Sequence, residues 1–347
     1  MKLFTCTNCG GILYFENTFC GYCGYSTGIC EENNQLFALS AKTDESFQHN
    51  NAGYKYCANH QFDVCNWLIP SNTGTSFCKA CDLNRTIPNL QQQKYREYWQ
   101  IIERAKHRLI YSLLRLKLPL VSKKINAAKG LCFDFVADEK NKRIFTGHEN
   151  GLITLNIAEA DDIEREMRRK SMQETYRTVL GHFRHEVGHY YWDTLIKNTA
   201  SIDEYRQLFG DDRQDYGKAL KRHYAKGAPL NWMDNFITPY ASSHPWEDWA
   251  ETWAHYMHII DTIETAYYFG LNIKPLPAKN ATMHAEIKKD PYAEKYFSEL
   301  INEWLPLTYA MNSLNRSMGI SDIYPFVITP HVIQKLSFIH TICTGAN

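Results

Sequence analysis

The sequence has no long apolar run, no apolar N-terminal segment and no excess of either charge. A membrane-spanning helix needs about 20 mostly apolar residues, and no stretch here approaches that length. The opening "MKLFTCTNCG" reaches cysteine without the apolar centre of an export signal. We therefore expect a soluble, cytoplasmic protein with no membrane partner. Because Lys plus Arg equals Asp plus Glu at 38 each, the overall charge also argues against a nucleic-acid partner.

The composition does not match that of a disordered chain. Hydrophobic residues make up 44% and charged residues 22% of 347 residues, which is ordinary for a globular protein. This length suits one large domain and one small one.

Cysteines are concentrated at the N-terminus, where they form two candidate metal sets. Without an export signal, paired Cys-x-x-Cys motifs favour metal binding over disulfides. The first set forms two such pairs, with Gly10, Gly21 and Gly24 beside them, and predicts a closed structural zinc site. Its residues are Cys6, Cys9, Cys20 and Cys23.

The second cysteine set is less regular, because seven residues separate its first two members. We expect a second structural zinc held by Cys57, Cys65, Cys78 and Cys81. His60 is an alternative to one of these sulfurs, and spacing alone does not decide whether the two sites are sequential or interleaved. The remaining cysteines, Cys30, Cys132 and Cys343, lack partners and are interpreted as small buried side chains.

The composition and the periodicity of the sequence change after the cysteine-rich segment. We predict a zinc-ribbon domain over residues 1–88 and a mainly helical domain with a small β-sheet over residues 89–347, in the α+β class. Apolar residues at helical intervals begin near Gln91. The stretches "LCFDFVAD" and "GLITLNIA" are typical of two strands joined by a polar turn, and the second is either an edge strand that pairs with an extended substrate or a core strand. Helices are predicted after Asp161.

The stretch "GHFRHEVGHYYWD" predicts a second kind of metal site. His185 and His189 are four residues apart, so on a helix both imidazoles project from one face and can bind one zinc ion. Glu186 lies beside them, where it can act as a general base. His182 is more easily explained as a surface or supporting residue. Asp193 either orients the second ring nitrogen of His189 or is an ordinary solvated residue.

A catalytic zinc needs a third protein ligand and one open position. The metzincin class is excluded, because it requires Gly and His where Trp192 and Leu195 stand. A glutamate on a later helix is the other common solution. The stretch "PWEDWAETWAHY" supplies Glu247 and Glu251 one helical turn apart, so one can be the ligand and the other its support.

The motifs "HEVGHYYWD" and "YASSHPWEDWAETWAHY" resemble the gluzincin active site of the anthrax lethal factor group. This resemblance implies that Glu247 is the third zinc ligand and that Glu251 supports the site. It also implies that Tyr240, with His244 near it, stabilises the oxyanion. Together with the cysteine-rich start, "VCNWLIP", "LNRTIP" and "LNRSMG", the whole chain is similar to a bacterial family of zinc-binding metallopeptidases with an N-terminal zinc ribbon.

The sequence therefore predicts a zinc-dependent metallopeptidase with one catalytic and two structural zinc ions. Its substrate would be a peptide or protein, and the ribbon would be free to bind a protein partner. The rival hypothesis is a non-catalytic zinc protein whose ribbons bind a protein or nucleic acid, and a third is hydrolysis of a non-peptide amide. The presence of Glu186 argues against the non-catalytic hypothesis, because replacement of the general base is the simplest way for such a site to become inactive.

Overall fold

The structure is a computed structural model that describes residues 2–41, 47–49, 52–138, 144–171, 174, 176–277 and 283–345. The chain divides into two compact units, residues 1–183 and 184–347. The predicted domain boundary near residue 88 falls within the first unit and stays a prediction.

The first unit begins with a short hairpin of β1 (Phe4–Thr5) and β2 (Ile12–Leu13). After it comes a closed five-stranded barrel in which consecutive strands are antiparallel and the first and last strands pair in parallel. The strands are β3 (Ser26–Cys30), β4 (Gln35–Ala41), β5 (Phe47–His49), β6 (Ala52–Tyr56) and β7 (Trp67–Pro70). The cysteine-rich segment thus has an apolar core of its own, which includes Cys30, Phe37 and Leu68.

One glycine shows how tightly the barrel is packed. A Cβ atom at Gly28 of β3 would lie 2.6 Å from the Leu68 side chain of β7. No methyl group fits at that distance, so glycine is required where these two strands close the barrel.

The rest of the first unit packs one long helix beside a small mixed sheet. After α1 (Lys79–Asp82), α2 (Gln93–Arg115) buries Trp99, Leu109 and Leu113. The strands of the sheet are β8 (Asn84–Thr86), β9 (Cys132–Val136), β10 (Gly147–Glu149) and β11 (Leu152–Asn156). Their order is β10-β11-β9-β8, with only the β10–β11 pair antiparallel. Because β11 lies between β9 and β10, it has no free edge, and the edge-strand interpretation of "GLITLNIA" is wrong.

The second unit is mainly helical and is organised around α8 (Pro245–Tyr268). Trp249, Trp253, Tyr256 and Ile260 of α8 are fully buried. Helix α3 (Asp162–Ser171) lies in the first unit, and α4 (Val179–Tyr191) begins there. The remaining elements of the second unit are α5 (Ile202–Phe209), α6 (Tyr216–Lys226), α7 (Trp232–Asn235), β12 (Asn272–Ile273), β13 (Ala285–Glu286), α9 (Phe297–Ser317) and α10 (Pro330–Gly345). Of these helices, α5, α9 and α10 pack against α8.

The start of α8 follows from its local sequence. The Nδ1 atom of His244 accepts a hydrogen bond from the backbone N–H of Trp246 and caps the helix, while Pro245 occupies the first turn. The helix ends beside Gly270, whose φ of +64° is favourable for glycine.

A buried ion pair fixes this first turn to the last helix. The Nζ atom of Lys335 in α10 lies 2.6 Å from Oδ2 of Asp248, and both side chains are almost fully buried. The same ammonium group donates to the carbonyl oxygen of Asn235 at 2.6 Å.

The predicted fold class is confirmed: a small cysteine-rich zinc-ribbon region precedes a mainly helical region, with small sheets. The barrel was not foreseen, and the two strands expected to be joined by a turn pair in parallel. Residues 139–143, within the predicted polar turn, lie outside the described residues. Among the described helices, none is both long and apolar enough to cross a membrane.

Candidate metal centres

The first cysteine set is built by two similar turns. In each, the backbone N–H of the residue after the second cysteine returns to the carbonyl oxygen of the first cysteine: Gly10 to Cys6 at 2.9 Å and Gly24 to Cys20 at 2.8 Å. Both glycines have φ near +75°, a conformation that side chains disfavour. The turns face each other, with the Cys6 and Cys23 sulfurs 3.7 Å apart and the Cys9 and Cys20 sulfurs 3.6 Å apart.

The second cysteine set is fully buried and collects its ligands from the end of the barrel and from α1. The sulfurs of Cys65 and Cys78 lie 3.7 Å apart, and Cys57 and Cys81 complete the group. Backbone N–H groups donate to two of the sulfurs, from Trp67 to Cys65 and from Cys78 to Cys57. Hydrogen bonds of this kind stabilise thiolates. Each set draws its four cysteines from its own stretch of the chain, so the two sets are sequential and not interleaved.

The sulfur separations fit tetrahedral zinc. With Zn–S bonds of about 2.3 Å, a regular tetrahedron places its sulfurs about 3.8 Å apart. All eleven cysteines are free thiols. His60 lies outside the four-sulfur group, and its Nδ1 contacts the carbonyl oxygen of Cys65 at 2.7 Å. Cys30, Cys132 and Cys343 are buried singly, in agreement with their interpretation from sequence.

The histidine site depends on the close approach of α4 and α8. Gly188 faces α8, and a Cβ atom there would lie 3.1 Å from Cα of Ala250 and 3.2 Å from Cβ of Trp253. The indole N–H of Trp249 donates to the carbonyl oxygen of Gly188 at 2.8 Å. These contacts explain the glycine within the His-Glu-x-Gly-His motif: it lets the two helices approach until their polar side chains meet.

Three potential ligand atoms converge between the two helices. The Nε2 atoms of His185 and His189 are 3.2 Å apart. Oε2 of Glu247 lies 3.1 Å from the first and 3.4 Å from the second. With bonds of about 2.0 Å, tetrahedral zinc separates its ligands by about 3.3 Å. The donor set of two imidazoles and a carboxylate therefore fits zinc and leaves a fourth position open.

The second nitrogen of His185 is held by Glu251. Its Nδ1 lies 2.6 Å from Oε1 of Glu251, whose Oε2 accepts a hydrogen bond from the Thr238 hydroxyl at 2.7 Å. A carboxylate in this place fixes the ring orientation and leaves Nε2 for the metal. The geometry thus assigns different positions to the two glutamates of α8.

Tyr216, at the start of α6, was missed by the sequence analysis. Its hydroxyl donates to Oε1 of Glu247 at 2.6 Å, opposite the oxygen that faces the histidines. Thr238 was missed in the same way. Neither belongs to a motif, since each reaches the site from a separate element, and no signal in the sequence indicates them.

The remaining predicted residues are placed as follows. Tyr240 lies in a 3₁₀ turn (Tyr240–Ser243) with its ring 6.1 Å from that of His185. His244 uses both ring nitrogens on backbone groups: Nδ1 caps α8, and Nε2 contacts the carbonyl oxygen of Gln214 at 3.2 Å. Asp193 pairs with Lys197 at 3.1 Å, and His182 lies 3.4 Å from Glu159. The described contacts thus make His244 a helix cap and show no bond between Asp193 and the ligands.

Burial and charge shift the pKa values of these groups. Glu186 is buried, which raises the pKa of its carboxyl group. Burial would lower the pKa of His185, but hydrogen bonds and charges from Glu247 and Glu251 outweigh it and raise that pKa well above its usual value. Burial also raises the pKa of Tyr240, so its phenol stays protonated and can donate a hydrogen bond.

The chain thus carries two sets of four cysteines and, further along, a set of two histidines and one carboxylate whose spacing fits zinc. The chain belongs to the family described as "Putative zinc-binding metallo-peptidase", which it matches over residues 95–342. Residues 3–92 match a zinc-ribbon domain. Uncharacterized proteins of Mycobacterium bovis and Mycobacterium tuberculosis are each 40% identical to it over 343 residues, covering 99% of this chain and 95% of theirs. No solved structure matches the chain.

Proposed function

We propose that this protein is a zinc-dependent peptidase of the gluzincin type that hydrolyses peptide bonds at the site between α4 and α8. The observation that carries the proposal is the 3.1–3.4 Å spacing of the His185, His189 and Glu247 ligand atoms. The buried carboxyl group of Glu186 supports it, because this residue follows the first ligand directly on the same helix.

The residues of the proposed site have separate roles in peptide hydrolysis. Zinc, when bound, supplies a Lewis acid that polarises the substrate carbonyl and lowers the pKa of water. Glu186 accepts a proton from the attacking water and later returns it to the leaving amine. Tyr240 donates a hydrogen bond to the oxygen on which negative charge develops. Glu251 and Tyr216 hold His185 and Glu247 in place.

The two cysteine sets complete the proposal with two structural zinc ions, which gives three per chain. Four thiolates fill the coordination sphere of each ion, so these sites have no position for a substrate. We assign them to a ribbon domain over residues 1–88 and the catalytic zinc to a peptidase domain over residues 89–347.

The test combines metal content with turnover. Elemental analysis of the full chain should give three zinc ions, and His185→Ala should give two. Profiling with a peptide library should identify cleaved bonds, and Glu186→Gln should abolish cleavage while retaining three zinc ions, because Glu186 is not a ligand. Glu204→Gln is the matched control, since this residue is exposed on α5.

Two other results would contradict the proposal. Three zinc ions with no cleavage of any peptide would favour the non-catalytic zinc protein. Unchanged zinc content in His185→Ala would overturn the histidine site itself.

A further inference from the structure

Helix α6 lies directly beside the proposed active site. Its first residue, Tyr216, donates to Glu247, and the ring of His223 lies 6.0 Å from that of Tyr240. Ala219 of the same helix is buried. One face of α6 is therefore fixed against the site, and the other side chains of this short helix are carried along its margin.

The charge of α6 is opposite to that of its surroundings. Acidic residues outnumber basic ones in residues 184–347, yet α6 has four cations and no carboxylate in the sequence "YGKALKRHYAK". These cations are Lys218, Lys221, Arg222 and Lys226. A like-charged group concentrated on one helix creates a local positive field in an otherwise acidic region.

Three of these four cations form no ion pair within the part of the chain that the structure describes. Lys218 lies 3.3 Å from Asp215, the cap of the helix. For Lys221, Arg222 and Lys226, no carboxylate of the described part of the chain lies within ion-pair distance, and all three are exposed. Lys221 also interacts with the charge of Asp215, so Arg222 and Lys226 are the two best placed to attract an anionic ligand.

Their spacing defines the length of a matching ligand. Lys218, Arg222 and Lys226 follow each other at intervals of four residues and form one stripe along the helix. Neighbouring side chains in such a stripe are about 6 Å apart, so the stripe is about 12 Å long. An extended peptide advances about 3.3 Å per residue, so about four of its residues can lie along the stripe.

We propose that α6 selects acidic peptides: substrates with Asp or Glu within about four residues of the cleaved bond, on the side that lies along α6. This inference rests on the proposed peptidase function and adds the substrate class. A peptide is favoured over a nucleic acid because the cations border the site at which the peptide bond would be cleaved.

Binding can be measured without turnover. The probe is zinc-loaded, full-length Glu186→Gln protein with fluorescent peptides that differ only in having Glu, Gln or Lys at the flanking positions. The acidic peptide should bind best, and its advantage should shrink as the salt concentration rises. The triple change Lys218→Gln, Arg222→Gln and Lys226→Gln, which removes the stripe, should lower the ratio of acidic to neutral affinity about tenfold.

A matched control comes from the same unit. Lys274, Lys288 and Lys289 are exposed and lie outside α6, so their joint replacement by Gln should leave the ratio unchanged. Zinc content and melting temperature should be the same in both triple variants, which separates lost binding from lost folding.

Three results would overturn the inference: no preference for the acidic peptide, an equal loss in the control variant, or tighter binding of a single-stranded oligonucleotide of the same charge. Failure of the peptidase proposal looks different. In that case the acidic peptide binds selectively but the native chain cleaves none of the peptides.

Discussion

The two kinds of metal centre in this chain are built in opposite ways. Each cysteine set takes its four potential ligands from fewer than 30 consecutive residues. Tight turns hold the first set, and backbone N–H···S hydrogen bonds hold the second. The histidine site joins two helices whose ligands are about 60 residues apart in sequence, and a glycine allows their approach. A closed set of thiolates stabilises a local fold, whereas an incomplete set of nitrogen and oxygen ligands depends on a fold that already exists.

The largest expected effect tests this contrast directly. Cys78→Ser removes a ligand from a buried set and should disorder the surrounding segment, because zinc binding and local folding are coupled at such sites. His185→Ala should remove one zinc ion with a much smaller change in stability. Circular dichroism and zinc analysis of both variants check the difference. Equal melting temperatures would mean that the cysteine site does not hold the fold.

Removal of residues 1–88 is expected to have the next largest effect. Every ligand of the histidine site lies in residues 184–347, so the shortened chain should retain one zinc ion. However, the small sheet would lose β8, and α2 would lose contacts with the cysteine-rich segment, including those of His107 with Trp67 and Cys81. We expect a melting temperature lower by several degrees. Complete loss of zinc from the fragment would show that the boundary near residue 88 is misplaced.

A moderate effect is expected from the residues behind the ligands. Glu251→Gln should lower zinc affinity or activity about 10–100-fold, because its carboxylate orients His185. Thr238→Val, which removes only the hydroxyl that supports Glu251, should cost less. Zinc-competition titrations rank the variants. If Glu247→Ala retains the metal while Glu251→Ala loses it, the ligand assignment is reversed.

The smallest predicted effect concerns pH. Burial, with Glu294 and Glu299 nearby, raises the pKa of Glu303 in α9 to about 7. A raised carboxyl pKa favours the folded state below the unfolded value of about 4.5, and this stabilisation is lost as pH rises through about 7. Glu303→Gln should therefore raise the melting temperature slightly at pH 8 but not at pH 5. Thermal unfolding at the two pH values measures this difference, and an equal shift at both would contradict it.

The candidate metal ligands could be predicted from the sequence because many of them lie at short, fixed spacings along the chain. Cys-x-x-Cys and His-x-x-x-His place their side chains together whatever the rest of the chain does, and the cap and proline of α8 indicate where that helix begins. The pairing of α4 with α8 was indicated by resemblance. Tyr216 and Thr238 remained hidden because a lone hydroxyl on another element has no spacing rule.

The barrel was missed for a different reason. Its strands are short, and Gly and Asn, which are depleted in strands, are frequent in this segment. Pairing between β3 and β7 joins residues nearly 40 positions apart, which no local pattern records. The buried pair of Asp248 and Lys335 was invisible for the same reason, since charged residues usually indicate the surface.

The packing of Trp246 against His189 gives the histidine site an optical reporter. The two ring centroids are 3.7 Å apart, so this indole is in contact with a proposed metal ligand. Loading the site with cobalt, whose unpaired electrons quench nearby fluorophores, should dim this tryptophan. The difference in emission between the native chain and Trp246→Phe would isolate its signal from those of the other tryptophans and follow metal exchange in real time.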